Sequence, residues 1–172
     1  MTSGIHGDHP FATPASERDP SRQFRGRLAS GVTVLTSKAG DAAGLTVSAI
    51  TVAEGDPSVV LALVNPASDF FGELVNSERF VVHVLASADR QLSDEFAGLR
   101  PAPGGPFETR EVSDSDWGPV LEEVPTRAFC SLGDTRDVGY LALIEGFIDR
   151  IELGDLSDPL VYFRGSYESL DK

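Results

Sequence analysis

The spacing of apolar residues constrains this chain most. Residues 44–52, Gly44-Leu45-Thr46-Val47-Ser48-Ala49-Ile50-Thr51-Val52, alternate apolar side chains with hydroxyls, a period of two that suits a strand and no helix. That period puts Leu45, Val47 and Ala49 on one face and Thr46, Ser48 and Ile50 on the other. Upstream, Val32-Thr33-Val34-Leu35-Thr36 is β-branched and bounded by Gly31 and Gly40, so the two runs predict antiparallel strands around an Ala39-Gly40-Asp41 turn. Residues 58–64 are almost wholly apolar, the pattern of a strand covered on both faces, and they stop at Asn65-Pro66.

Helical signals are short. Phe24 and Leu28 lie four apart within residues 21–30, an amphipathic turn that Gly31 can end and whose apolar stripe must dock on something. Asn65 or Ser68 can cap a helix carrying Phe70, Phe71, Leu74 and Val75, and Ser87 one carrying Leu92 and Phe96, closed by Gly98. Between those two helices, residues 80–85 return as a strand. Residues 98–118 hold Pro101, Pro103, Gly104, Gly105 and Pro106, too many breakers for a regular element, and predict a long surface loop that is a lid, a subunit contact or a plain excursion. Strand-like runs follow at 127–132, 140–151 and 160–167. The expected class is mostly β, an antiparallel barrel with short flanking helices rather than a doubly wound sheet, since neither a βαβ rhythm nor a Gly-rich phosphate loop is found.

The 172 residues suffice for one domain with a real core. Residues 1–20 read as a flexible arm and 21–172 as the folded domain. A formal net charge of -13 repels phosphate backbones and anionic bilayers, so neither nucleic acid nor membrane is an expected partner. A lone cysteine, Cys130, and no apolar run long enough to span a bilayer lead to the expectation of a cytoplasmic protein.

Several motifs in order then resemble one family. Gly31-Val32-Thr33-Val34-Leu35-Thr36, Gly44-Leu45-Thr46-Val47-Ser48-Ala49, Asp56-Pro57 before an apolar strand, Phe80-Val81-Val82-His83-Val84-Leu85-Ala86, Gln91-Leu92 with Phe96-Ala97, Phe129-Cys130, and Asp158-Pro159-Leu160-Val161-Tyr162-Phe163 with Tyr167 are similar to the flavin reductase-like family of FMN-binding split barrels. The resemblance runs from about Phe24 to Leu170. It implies a split β-barrel homodimer that takes hydride from NADH or NADPH and passes reduced FMN or FAD to a partner monooxygenase.

The resemblance makes residues 44–52 the cofactor strand, with Thr46, Ser48 and Thr51 offering hydroxyls and the backbone through Val47 and Ala49 offering amides; plain decoration of a solvent-facing strand is the alternative. Asn65 and Ser68, at a helix start, can hold the ribityl phosphate with neutral donors, or simply cap the helix. Phe70 and Phe96 are candidate ring-stacking partners, and Ala86 and Gln91 fall in flavin-contacting segments. Trp117 is a loop anchor or part of a lid. Asp114, Asp116, Glu122 and Glu123 lack the ligand spacing of a metal site, so no metal is expected. A Gly-Asp-His motif that many such reductases carry is replaced by Asp137-Val138-Gly139-Tyr140, leaving Tyr140 or Arg136 to meet the pyridine nucleotide. His83 stands where the family has asparagine. It is either a structural histidine or the acid–base group of an enzyme acting directly on an organic substrate; a non-catalytic flavin carrier is the third reading.

Overall fold

The computed structural model describes residues 19–170. All of the expected arm except Asp19 and Pro20 therefore lies outside the described residues. In chain order the elements are α1 (Pro20–Arg25), β1 (Ser30–Gly31), β2 (Thr33–Lys38), β3 (Ala42–Val47), β4 (Ile50–Ala53), β5 (Val59–Val64), α2 (Asp69–Ser77), β6 (Arg79–Val84), a 3-10 turn (Ser87–Asp89), α3 (Arg90–Phe96), β7 (Val112–Ser115), β8 (Gly118–Leu121), β9 (Arg127–Val138), β10 (Leu141–Glu152), β11 (Val161–Phe163) and β12 (Ser166–Glu168). One seven-stranded antiparallel sheet runs β3-β2-β6-β9-β10-β5-β4, beside a three-stranded sheet β1-β11-β12 and the hairpin β7-β8. The fold is mostly β, as the alternation demands.

The expected strand over 44–52 is two strands. Residues through Val47 pair with β2, whereas Ile50 onward pairs with β5, so the chain changes partner at Ser48-Ala49. Both edges of the large sheet are thus joined by two residues. Residues 58–64 are not sealed on both faces either: Val60, Ala62 and Val64 are buried, but Val59, Leu61 and Leu63 stay half-buried. The run over 160–167 is a hairpin that turns at Arg164-Gly165, the latter at φ 88°. Within the expected loop, residues 112–121 form the β7-β8 hairpin. The arginine at 110, gripped by Glu95 and Glu123, ties the stretch before that hairpin to α3.

Two apolar clusters lie on opposite sides of β2 and β3. Leu35, Val47, Val64, Phe70, Leu74, Phe80 and Ile144 fill the first, under α2; Val34, Leu85, Leu92, Phe96, Leu121 and Leu160 fill the second, under α3. Each such side chain contributes about 1.5–3 kcal/mol on burial. The other expected docking helix fails: α1 ends at Gly26, and its Phe24 is 69% exposed, with Leu28 just beyond it at 56%. Trp117 is an anchor rather than a lid. Its indole N–H donates to Asp149 at 2.7 Å, and its ring meets Phe129 edge-on at 5.5 Å.

The contact that seats α3 on β3 is unusually close. A Cβ at Gly44 would lie 2.5 and 2.7 Å from two Phe96 ring carbons, and Phe96 is itself held edge-on by Phe107 at 5.0 Å. A glycine is required there because the ring occupies the space of a side chain. Gly44→Ala is therefore expected to lower stability by about 1–3 kcal/mol, the range for overpacking a filled core, read as a reduced urea midpoint; an unchanged midpoint contradicts the seating.

Candidate functional site

The change of partner at Ser48-Ala49 leaves backbone donors unclaimed. Ladder pairing on one side ends at Thr33↔Val47 and on the other begins at Ile50↔Ala62. The Ala49 carbonyl accepts from Leu63 N–H at 2.9 Å, but neither the Ser48 nor the Ala49 N–H meets an acceptor among the described residues. The Ser48 hydroxyl is likewise unclaimed and half-buried, and Thr51 is exposed. Val47 provides backbone only, because its side chain is in the core.

Beside this corner lies the loop after β5. Since Ile50 pairs with Ala62, residues 48–49 run alongside Leu63 and Val64, and the turn starts at the next residue. Asn65 Oδ1 accepts from Ala67 N–H at 2.9 Å, the Ser68 hydroxyl donates to the Asn65 carbonyl at 2.7 Å, and Ser68 Oγ accepts from Phe71 N–H at 3.2 Å. Both side chains are therefore spent on capping α2. The donors they leave are backbone ones: the N–H groups of Asp69 and Phe70 meet no acceptor among the described residues. Opening donors of a helix of this length carry the positive end of its dipole.

Two other expected residues lie on either side of the corner. Ala142 pairs with Val64 and Leu141 with Val138, which puts the β9-β10 tip, with a fully exposed Tyr140, next to the Asn65 turn. Leu85 N–H donates to the Val32 carbonyl at 3.1 Å, extending the row Val47–Thr33–Val84 past the strand ends toward Ala86. Ala86 N–H is taken by Asp89 at 2.8 Å, and burial pushes that carboxyl above its ordinary range. Gln91 is exposed, with its amide on Glu95 at 2.8 Å.

Four expectations are corrected. Phe70, at 0% exposure, and Phe96, at 5%, are core residues with no open ring face. The Thr46 hydroxyl is occupied, donating to the Ser93 carbonyl at 2.7 Å. His83 is no acid or base: it is fully buried, its Nδ1 lies 3.2 Å from the Val34 carbonyl and its Nε2 accepts Leu121 N–H at 3.1 Å. Both ring nitrogens are committed, and burial holds its pKa down at about 4. Cys130 is also inert, since burial raises its thiol to about 12. The acidic side chains Asp114, Glu122 and Glu123 pair with Lys38, Arg127 and Arg110, and no metal-binding cluster occurs among the described residues.

Sequence reading missed Ser93, which ordinary helix periodicity does not mark, and the donors of Asp69 and Phe70, which belong to the backbone and carry no residue signature. Beneath β4 an apolar cavity of about 270 Å³ opens between Ile50, Val60, Val82, Ala128 and Ile148. Exposed Val52, Val84, Ile151 and Leu153 surround it. Among the described residues no helix is long and apolar enough to cross a membrane.

Residues 25–171 match the model of the flavin reductase like domain. The reductase component of 4-hydroxyphenylacetate 3-monooxygenase from Thermus thermophilus is 28% identical over 89% of this chain and 97% of its own length. An FMN reductase (NADH) RutF from Stutzerimonas stutzeri is 27% identical over 93% of this chain and 92% of its own. Among solved structures, the flavin reductase PheA2 superposes with a TM-score of 0.79 at 26% identity, covering 90% of this chain and all of that one.

Because the folded protein keeps His83 neutral while an unfolded imidazole titrates near 6.5, its contribution to stability is complete above that value and is lost as pH falls through about 4. A His83→Gln variant is expected to be less stable at pH 7.5, by about 1–3 kcal/mol for the hydrogen bonds it disturbs, and to lose less between pH 7.5 and 5 than the parent does. Urea melts at both values decide; parallel losses in the two proteins refute the buried neutral imidazole.

Proposed function

The chain belongs to the flavin reductase-like family, and from that premise we propose that it is an NADH- or NADPH-dependent flavin reductase that delivers reduced FMN or FAD to a partner monooxygenase. One observation supports this placement above the rest: the unclaimed Ser48 and Ala49 amides adjoin the unclaimed amides that open α2. The first pair suits the polar edge of an isoalloxazine ring, and the second suits a phosphate. This is the donor set a flavin needs from a protein of net charge -13, which has little free positive charge to offer. A flavin held there would supply the electrophile for a hydride from reduced nicotinamide.

What the chain contributes is placement. Ser48 and Ala49 orient the ring edge, the Asn65 turn keeps the Asp69 and Phe70 donors aimed outward, and Ala86 borders the opposite side. Tyr140 and Arg136, both exposed on the β9-β10 hairpin, contact the pyridine nucleotide. No protein acid is required, since hydride transfer between stacked rings depends on distance and angle. The absent family histidine and the sequestered His83 agree with that. The direct acid–base enzyme loses its base with His83.

We read the curled seven-stranded sheet as a split barrel, with β3 and β4 as the separated edges, and the apolar rim of Val52, Val84, Ile151 and Leu153 as the contact with a second copy in a cytoplasmic homodimer. Sedimentation of Leu153→Asp tests the contact: the variant is expected to run as a monomer where the parent runs as a dimer, and an unchanged dimer removes that rim from the interface.

The reading itself is tested with FMN and FAD titrations and NADH or NADPH oxidation. Saturable flavin binding and rapid nucleotide oxidation are expected. Flavin binding without turnover would instead indicate a carrier. Ser68→Glu puts a carboxylate beside the phosphate donors and is expected to weaken FMN at least about tenfold, since like charges in contact cost several kcal/mol. Unchanged FMN affinity takes the Asn65 turn out of the site.

A further inference from the structure

The flavin corner belongs to neither ladder and is tied to the sheet through the Ala49 carbonyl, which accepts from Leu63 N–H at 2.9 Å. Its further support comes through α3. Gly44 and Thr46 share one face of β3 by the strand period; Phe96 lies over Gly44, and the Ser93 carbonyl takes the Thr46 hydroxyl at 2.7 Å. Ser93 is fully buried, and its own hydroxyl lies 2.8 Å from the Tyr167 hydroxyl. Tyr167 stands on β12, near the end of the described chain. Its ring is packed edge-on against Tyr162 at 5.6 Å and lies 5.2 Å beneath the Arg90 guanidinium, so α3 is held at both Arg90 and Ser93 by one side chain. Burial raises the Tyr167 phenol to about 12, which keeps it a neutral hydroxyl partner throughout the useful pH range.

We propose that Tyr167 and Ser93 are positioning residues for the flavin corner: the Tyr167–Ser93 hydrogen bond fixes the register of α3 on β3, and the Ser93–Thr46 bond passes that register to Ser48 and Ala49. The inference rests on the flavin reading given above, and it assigns the C-terminal hairpin a functional task. Tyr167 touches neither flavin nor nucleotide. Of the path from Tyr167 to the corner, one link joins two side-chain hydroxyls, one joins a hydroxyl to a carbonyl of the same Ser93, and the remainder is the β3 backbone from Thr46 through Val47.

The test uses full-length protein with Tyr167→Phe, Ser93→Ala and the double variant. Tyr167→Phe keeps the ring contacts and removes one oxygen. Two readouts are taken: FMN affinity, and amide hydrogen exchange without flavin at Leu63, whose N–H donates to the Ala49 carbonyl at 2.9 Å. Each single variant is expected to weaken FMN about three- to tenfold, the equivalent of one neutral hydrogen bond, and to speed exchange at Leu63. The kcat at saturating flavin and NADH stays at the parent value, so that the loss lies in KM for flavin. The double variant is expected to match the worse single one, because both act on the same bond.

Unaltered exchange at Leu63 overturns the proposal, and so does a double variant whose losses add. If the parent itself fails to bind FMN or FAD, the flavin reading falls, and the exchange measurement still decides whether Tyr167 and Ser93 steady the corner.

Discussion

Everything at the candidate site depends on a two-residue bridge. The chain must leave one sheet edge at Val47 and begin the opposite edge at Ile50, three Cα steps that span at most about 11 Å. A seven-stranded sheet meets that condition only by curling until its edges approach. At the bridge the backbone cannot belong to both ladders, so the Ser48 and Ala49 N–H groups find no acceptor among the described residues. Unpaired amides near the interior of a domain are costly, and a ligand rich in acceptors offsets that cost. The proposed binding corner is thus a consequence of joining the edges, with Ser48 and Ala49 both small residues.

Charge distribution explains why backbone donors carry this task. Arg110 is held between Glu95 and Glu123, Arg127 bonds Glu122 and Glu152, and Arg79 and Arg150 flank Trp117. These arginines fasten the β7-β8 region and β9 to the rest of the fold. They are spent on holding loops, in a protein whose acids outnumber its bases. Recognition of an anionic cofactor therefore falls to N–H groups, which bind phosphate without altering net charge.

Much of this was legible in the sequence, and the limits are physical. Alternation located β3 and strand-like runs located β2, β6, β10 and the first half of β9, which runs on to Val138 past the expected end at Leu132; the Ser68 cap was visible from its residue type. The break at Ser48-Ala49 was not, since the alternation of side chains continues through it while the hydrogen-bond partner changes; pairing is non-local and leaves no local mark. Thr46 reads the same whether its hydroxyl faces a ligand or a helix carbonyl. Phe70 and Phe96 illustrate the same limit, because an aromatic residue that stacks on a ligand and one that fills a core have identical composition signals. His83 looked chemical because histidine is scarce here. Its role emerged only when β8 delivered the Leu121 amide to its ring. The activity came from ordered motifs rather than from any single residue.

Perturbed titratable groups commonly mark catalytic sites, and here their distribution runs the other way. His83, Cys130 and Tyr167, the groups moved to about 4, 12 and 12, are a strand-to-strand brace, a core filler and a helix clamp. The side chains of Ser48, Ala49, Asn65 and Ser68 do not titrate, and the neighbouring Asp69 carboxylate stands in the first turn of α2. A site that must supply or remove protons would need a group of matched pKa within reach. One that needs only to hold two flat rings in register requires rigid donors, an open face and a second element to fix the geometry. On the proposed flavin reading the β3-β4 bridge offers the donors, α2 the phosphate end and α3 the rigidity, an arrangement suited to transfer governed by placement.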